Sequence, residues 1–432
     1  MSAISILGGS FNPNELSAAV TIKDNFNITK EKREEHIVAN SGVINAYFCG
    51  FTAFSPENSE AVYMPIEKLR LYVMYDLLVK VLRNSGHKVN HVMNITDIAT
   101  SPWQGMQDSH LMEEEFFSLF SALSLEAPDT VCRASEHIPD MIALLDGLTE
   151  KGYTYVYDNN LYFATGKFRS EDTPLPIAVK DTSGKHNAED FVLWFGNSQK
   201  YPNPPEDRLY PSPKGIKGKG FPGWHIECSV MALKYCGEYL SIHGGSSEHK
   251  SAHHASEVLQ SEAFIGHKWV DNWFHIASLK FADGKREGVS LERITDNGYT
   301  ADDLKYFFLR GNYSQRLTFS WKNLRAAAEE YAEIKDDIAK WQASSRPVTP
   351  NDLKIFSRKL EEFDSALRND LNTQKALSIF KELSKENISP ECKLIFASHV
   401  EKTIGLNLVK ERKEEAPLNI MAHYLTPKKV KS

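Results

Sequence analysis

The pattern of apolar and polar positions changes character along the chain. Between Ala46 and Ala99, short apolar runs flank one long amphipathic stretch. Ala46-Tyr47-Phe48-Cys49-Gly50 reads as a short buried strand with a glycine stop, and Val89 to Ile95 as another strand. Between them, positions 66, 69, 71, 73, 74, 77 and 78 are apolar at helical spacing, and Asn84-Ser85-Gly86 closes the helix. A β-α-β unit of this length predicts parallel strands with a crevice at their carboxyl ends. Cys49-Gly50 and Thr96-Asp97 both fall at that crevice.

Residues 100–195 interrupt the pattern. Amphipathic helices are expected over Glu113 to Ser124 and His137 to Lys151, a hairpin over Tyr153 to Phe163, and a polar loop over Lys167 to Asp190. The region reads as an insertion between two halves of one sheet. The α/β pattern resumes at Phe191 to Phe195, followed by a loop rich in Pro, Gly and Lys from Tyr201 to Gly220. Tyr239 to Gly245 is a further strand ending in a glycine turn, and 273–283 with 301–311 supply one more strand and helix. From Trp321 to Leu408 only helical periodicity remains, with Thr373 the expected N-cap of one helix. The expected division is an N-terminal extension (1–25), the first half of an α/β core (26–110), an inserted subdomain (111–190), the second half of the core (191–320), a helical bundle (321–408) and a charged tail (409–432).

Composition narrows the class. With 432 residues, 41% hydrophobic and 25% charged, the chain is an ordinary globular protein of several domains. A net charge of −7 excludes a generic polyanion binder. No apolar run approaches the roughly 18 residues of a membrane span, and the first twenty residues carry no Lys or Arg, unlike a secretory signal. Five scattered cysteines predict a reducing, cytoplasmic setting.

The chemistry concentrates between Phe221 and Glu257. Here lie Gly223-Trp224-His225-Ile226-Glu227-Cys228, then His243-Gly244-Gly245, then His253-His254-Ala255-Ser256-Glu257. On a helix, His253 and Glu257 share one face. With the Cys228 sulfur they make most of a zinc ligand set, lacking one partner.

These segments, taken in order with Tyr47 to Thr52, Asn94 to Ile98, Arg133 to Ile138, Gln260 to Ala263 and Asp370 to Thr373, resemble the cysteinyl-tRNA synthetases, a class I family, and the related mycothiol cysteine ligase. The likeness runs from about Phe26 to Leu408. It implies an α/β fold: a Rossmann-like class I synthetase core with an inserted subdomain and a C-terminal helical bundle. It also implies Zn2+ on Cys49, Cys228, His253 and Glu257, taking the thiolate of cysteine or a related thiol amino acid directly. Thr52, Thr96, Trp224 and His225 match the family's cysteine pocket. His243, Gly244, Gly245 and Glu248 match its nucleotide side, for ATP with Mg2+, although the family has Asp where Glu248 stands.

The ATP signatures depart from the family. Its His-Ile-Gly-His corresponds here to Pro65-Ile66-Glu67-Lys68, and its Lys-Met-Ser-Lys-Ser to Arg286-Glu287-Gly288-Val289-Ser290. Lys68, Lys285 and Arg286 are the cations left to act on a phosphoryl group. The chain also ends soon after Leu408, where full-length bacterial relatives continue into an anticodon-reading domain. The expected function is a diverged ligase that passes an aminoacyl group to an amine acceptor other than tRNA. The alternative is a zinc- and cysteine-binding paralogue without adenylation, acting as sensor, carrier or synthetase partner. Charging of a tRNA stands as a third reading.

Overall fold

Glu34–Val38 (β2) pairs antiparallel with Val20–Asp24 (β1) in the computed structural model, which describes residues 18–24, 34–38, 42–52, 64–98, 109–169, 176, 184–198, 206–282 and 289–409. Val20 and Ile22 are buried in the main core. Thr21 Oγ1 donates to the Arg368 carbonyl at 3.3 Å and Lys23 N to Asp370 Oδ1 at 2.9 Å. The last residues of the expected N-terminal extension therefore belong to the body of the protein.

Val43–Thr52 (β3), Ile66–Asn84 (α1) and Lys88–Thr96 (β4) form the expected parallel β-α-β unit. Ser109–Ala122 (α2) leads to Thr130–Arg133 (β5), parallel to β4. The helix α1 is buried on nearly every side, because the sheet covers one face and later helices cover the other. Its polar residues are satisfied inside: Lys80 Nζ meets Asp76 Oδ2 at 2.8 Å, and Asp76 Oδ1 accepts from Glu126 N at 2.8 Å.

The insertion holds Ile138–Glu150 (α3) and a second, antiparallel sheet. Its strands are Thr154–Tyr157 (β6), Asn160–Phe163 (β7), Phe191–Phe195 (β8), Tyr210–Pro211 (β9) and Lys219–Pro222 (β10), in the order β6-β7-β8-β10-β9. Asp158 and Asn159, both at positive φ, make the tight turn of its hairpin. Two expectations are corrected here. The strand Phe191–Phe195 does not resume the parallel sheet; it pairs with β7 and β10. The loop Tyr201 to Gly220 is not all loop, since it contributes β9 and the start of β10. A continuous apolar run suits any buried strand, so its pattern could not say which sheet it would join.

Trp224–Cys236 (α4), Leu240–Ser246 (β11), Ala255–Ile265 (α5) and Val270–Ile276 (β12) complete the parallel sheet, ordered β12-β11-β3-β4-β5. The chain builds outward from β3 in one direction and from β11 in the other. The carboxyl ends of β3 and β11 thus flank a topological switch point, where α/β sheets open a ligand crevice.

Leu279–Phe281 (β13) pairs parallel with Leu317–Phe319 (β14), enclosing Leu291–Asp296 (α6) and Ala301–Leu309 (α7). Then come Trp321–Gln342 (α8), Pro350–Arg368 (α9), Thr373–Lys385 (α10) and Pro390–Ile404 (α11). Asn372, not Thr373, caps α10, its side chain accepting from Lys375 N. The architecture is the expected one: a Rossmann-like α/β core carrying an insertion, followed by helices. No described helix is long and apolar enough to cross a membrane.

Candidate metal and thiol site

The site begins with an irregularity in β3. Register with β4 slips between Phe48 and Phe51, so Cys49 and Gly50 bulge at the strand's carboxyl end. Only glycine fits at position 50, where a Cβ would lie 1.8 Å from the Asn94 carbonyl oxygen. The Asn94 side chain holds the bulge. Its Oδ1 accepts from Gly50 N at 2.9 Å, and its Nδ2 donates to Thr96 Oγ1 at 3.1 Å.

Helix α4 starts at Trp224 and places Cys228 one turn in. After β11, residues Lys250–His254 form a π-turn that runs into α5. Such turns widen a helix locally and recur at functional sites. This one still delivers His253 and Glu257 together, with His253 Nε2 2.9 Å from Glu257 Oε1. One ligand atom each from Cys49, Cys228, His253 and Glu257 lies within 4.8 Å of the others, and all four residues are buried. A second grouping shares Cys49 and Glu257 and adds His243 and His254.

The surrounding groups hold the donors in place. Glu257 Oε2 meets His243 Nε2 at 2.8 Å. The Cys49 sulfur lies 3.5 Å from His254 Nε2, and His254 Nδ1 lies 2.7 Å from His275 Nε2. His225 Nδ1 faces His253 Nδ1 at 2.9 Å, and Trp224 stacks on the His253 ring at 4.0 Å between centroids. Gln260 ties α5 to α4, donating to the His225 carbonyl and Ser229 Oγ at 3.0 Å each.

The buried charges pair with one another. A hydrogen bond from the Cys49 thiol pulls the Cys228 thiol down to about 6, against the effect of burial. The same bond, with burial, raises Cys49. Burial works against a charged His253, yet Glu257 and Cys228 hold it protonated up to about 10. Burial likewise opposes a charged Glu257, and His253 and His243 overcome it, keeping the carboxyl below the usual range. Glu257 Oε1 still makes no hydrogen bond despite its closeness to His253. Two sulfurs, an imidazole and a carboxylate suit zinc better than a hard cation.

The family described as tRNA synthetases class I (C) catalytic domain matches residues 35–329. The chain is 32% identical to the cysteine–tRNA ligase of Treponema denticola, covering 89% of this chain and 86% of that one. The chain belongs to the cysteinyl-tRNA synthetase family. It is also 32% identical to the cysteine–tRNA ligase of Borreliella burgdorferi, over 88% of this chain and 85% of that one. The arginyl-tRNA synthetase of Plasmodium falciparum shares the fold, with 13% identity and a TM-score of 0.50 over 87% of this chain and 78% of that one.

Within this family member, a cavity of about 290 Å3 opens above the donor cluster. Cys49, Cys228 and His253 line it, as do the expected pocket residues Thr52, Thr96 and Trp224 and the expected cation Lys68. His225 supports His253 from the side. His243 is fully buried and bonded to Glu257. Gly244 and Gly245 are buried in β11, where side chains of Phe48 and His254 occupy the space a Cβ would take. Glu248 is exposed at the next turn. Lys285 and Arg286 lie outside the described residues. The two altered signature segments meet: Pro65 bridges Ser290, and Ile66 N donates to the Val289 carbonyl at 2.8 Å.

Three polar residues of the site had no role assigned from the sequence. Asn94 acts through the backbone of another strand. His249 lines the cavity from a turn without periodicity. Glu227 is fully buried, and neither carboxylate oxygen has a hydrogen-bonding partner.

Proposed function

We propose that this chain captures cysteine, or a related thiol amino acid, through zinc held by Cys49, Cys228, His253 and Glu257. The observation that carries the reading is the convergence of those four donors, three of which line a cavity together with Thr52, Thr96 and Trp224. Bound zinc would supply a site that prefers a deprotonated sulfur to a hydroxyl, which separates cysteine from serine where size alone discriminates poorly. The protein's own part is to hold the donors. His243 orients Glu257, Trp224 and His225 fix the His253 ring, and Asn94 keeps Cys49 in its bulge.

The captured molecule is then the aminoacyl donor of a diverged ligase whose acceptor is an amine other than a tRNA end. The intact thiol pocket supports a retained donor role, and the altered ATP segments support a departure from standard charging. Lys68 faces the cavity where the family carries a signature histidine, and Lys285 and Arg286 are the further cations for ATP with Mg2+. The test is pyrophosphate exchange with zinc-loaded protein, cysteine, ATP and magnesium, followed by amine acceptors and cysteine tRNA. Cysteine-dependent exchange without tRNA charging supports the reading; charging of cysteine tRNA overturns the acceptor.

A second reading, capture without adenylation, rests on Pro65 and Glu67. A carboxylate where the family has glycine would crowd and repel a nucleotide. Zinc-dependent cysteine binding with no ATP binding and no exchange would favour it.

A further inference from the structure

The described part of the cavity has two chemically distinct ends. The floor is the sulfur end, with Cys49, Cys228 and His253. Lys68 and His249 line it too, His249 beside the His253 ring, and none of the described lining residues is a carboxylate. Lys68 stands on the first turn of α1, exposed at the mouth. It lines the same cavity as Cys49 and His249.

His249 is held in position by rings. It packs edge-on against Trp224 at 5.5 Å and against His253 at 5.3 Å between centroids. Its Nδ1 is buried, has no hydrogen-bonding partner, and lies 3.1 Å from where a Cβ on Gly245 would stand. Gly245 thus leaves room for the ring to line the cavity.

We propose that Lys68 and His249 form a subsite for the carboxylate of the captured amino acid. This rests on the thiol-capture reading above. In cysteine the carboxyl carbon is three bonds from the sulfur. With the sulfur among Cys49, Cys228, His253 and Glu257, that short tether keeps the carboxylate inside the same small cavity. Lys68 offers a mobile ammonium, and His249 a fixed imidazole. The cavity volume, about 290 Å3, is at the low end of the roughly 300–1,000 Å3 common for small-molecule sites, which suits a free amino acid. The pair explains how a thiol amino acid would be told from a simple thiol.

The test is calorimetry on the zinc-loaded full chain with L-cysteine and with cysteamine, which keeps the thiol and amine but lacks the carboxylate. Wild type should bind cysteine about 10-fold or more tightly than cysteamine. Lys68→Met and His249→Leu should each weaken cysteine by about 5- to 20-fold, with zinc content and cysteamine affinity unchanged. Lys68→Arg and His249→Gln, which keep a donor, should retain most of the preference. Equal affinity of wild type for the two ligands, or parallel loss of both in the variants, overturns the subsite. Zinc-loaded wild type that binds neither thiol would refute the capture reading itself, a distinct result.

Discussion

The two ends of the cavity differ in how tightly their residues depend on one another. At the sulfur end three of the four donors are braced by a second residue: Cys49 by the Gly50–Asn94 contact, His253 by His225 and Trp224, Glu257 by His243. At the α1 end, Pro65, Glu67 and Lys68 stand where the family's signature stands, and the tie to residues 289–290 runs through backbone atoms. Side chains can change there while the local fold persists. The contrast is that the proposed thiol site is braced by the fold, whereas the side chains proposed to meet a nucleotide can be replaced with the backbone contacts kept.

The largest effect should come from removing a donor. Cys228→Ser replaces a buried thiol with a hydroxyl that binds zinc poorly, and should reduce zinc affinity by roughly a thousandfold or more. Metal analysis after dialysis against a chelator checks this, and full retention of zinc would break the contrast between the ends. Gly50→Ala drives a methyl into the Asn94 carbonyl and should cost about 3 kcal/mol in urea unfolding, together with loss of zinc.

An effect of similar size lies away from both ends. Lys305 is fully buried, its ammonium donating to the Leu123 and Gly405 carbonyls at 2.8 Å each. Burial lowers it to about 8 in the folded protein, from 10.5. Below pH 8 both states are protonated and the full penalty is present. As pH rises from 8 toward 10.5 the folded state releases the proton while the unfolded chain keeps it, so stability rises, by about 3 kcal/mol in all. Across that range the unfolding free energy of wild type should rise by this amount relative to Lys305→Met, with zinc and cysteine binding untouched at neutral pH.

Smaller shifts sharpen the comparison. His243→Ala removes the group that orients Glu257 and should lower zinc affinity about 10- to 100-fold, measured by competition with a chelating dye. Glu67→Gly should tighten ATP binding only about 5-fold by calorimetry, since one repulsive charge is removed and the other replacements stay. Zinc content and cysteine affinity should not change in that variant.

Much of this was legible in the sequence, and what was not has a physical reason. The β-α-β unit and three of the donors, Cys228, His253 and Glu257, could be read because periodicity and residue type carry them. Cys49 could be joined to Cys228, His253 and Glu257 only through family resemblance, since nearly 180 residues separate it from Cys228. The bulge at Gly50 was hidden, because it is defined by the Asn94 carbonyl of another strand. The pairing of Phe191–Phe195 was hidden for the same reason: a strand's apolar pattern does not name its neighbour. His249 gave no signal, because a polar residue in a turn shows its role only when Trp224 and His253 pack against it.

The central claim is capture of a thiol by a metal at the braced end. The most direct measurement is absorption of the cobalt-substituted protein during titration with L-cysteine and with L-serine. The sulfur-to-cobalt charge-transfer band should grow with cysteine to a one-to-one endpoint, stay flat with serine, and be lost together with metal in Cys228→Ser. A spectrum indifferent to cysteine, or an equal response to serine, would contradict it.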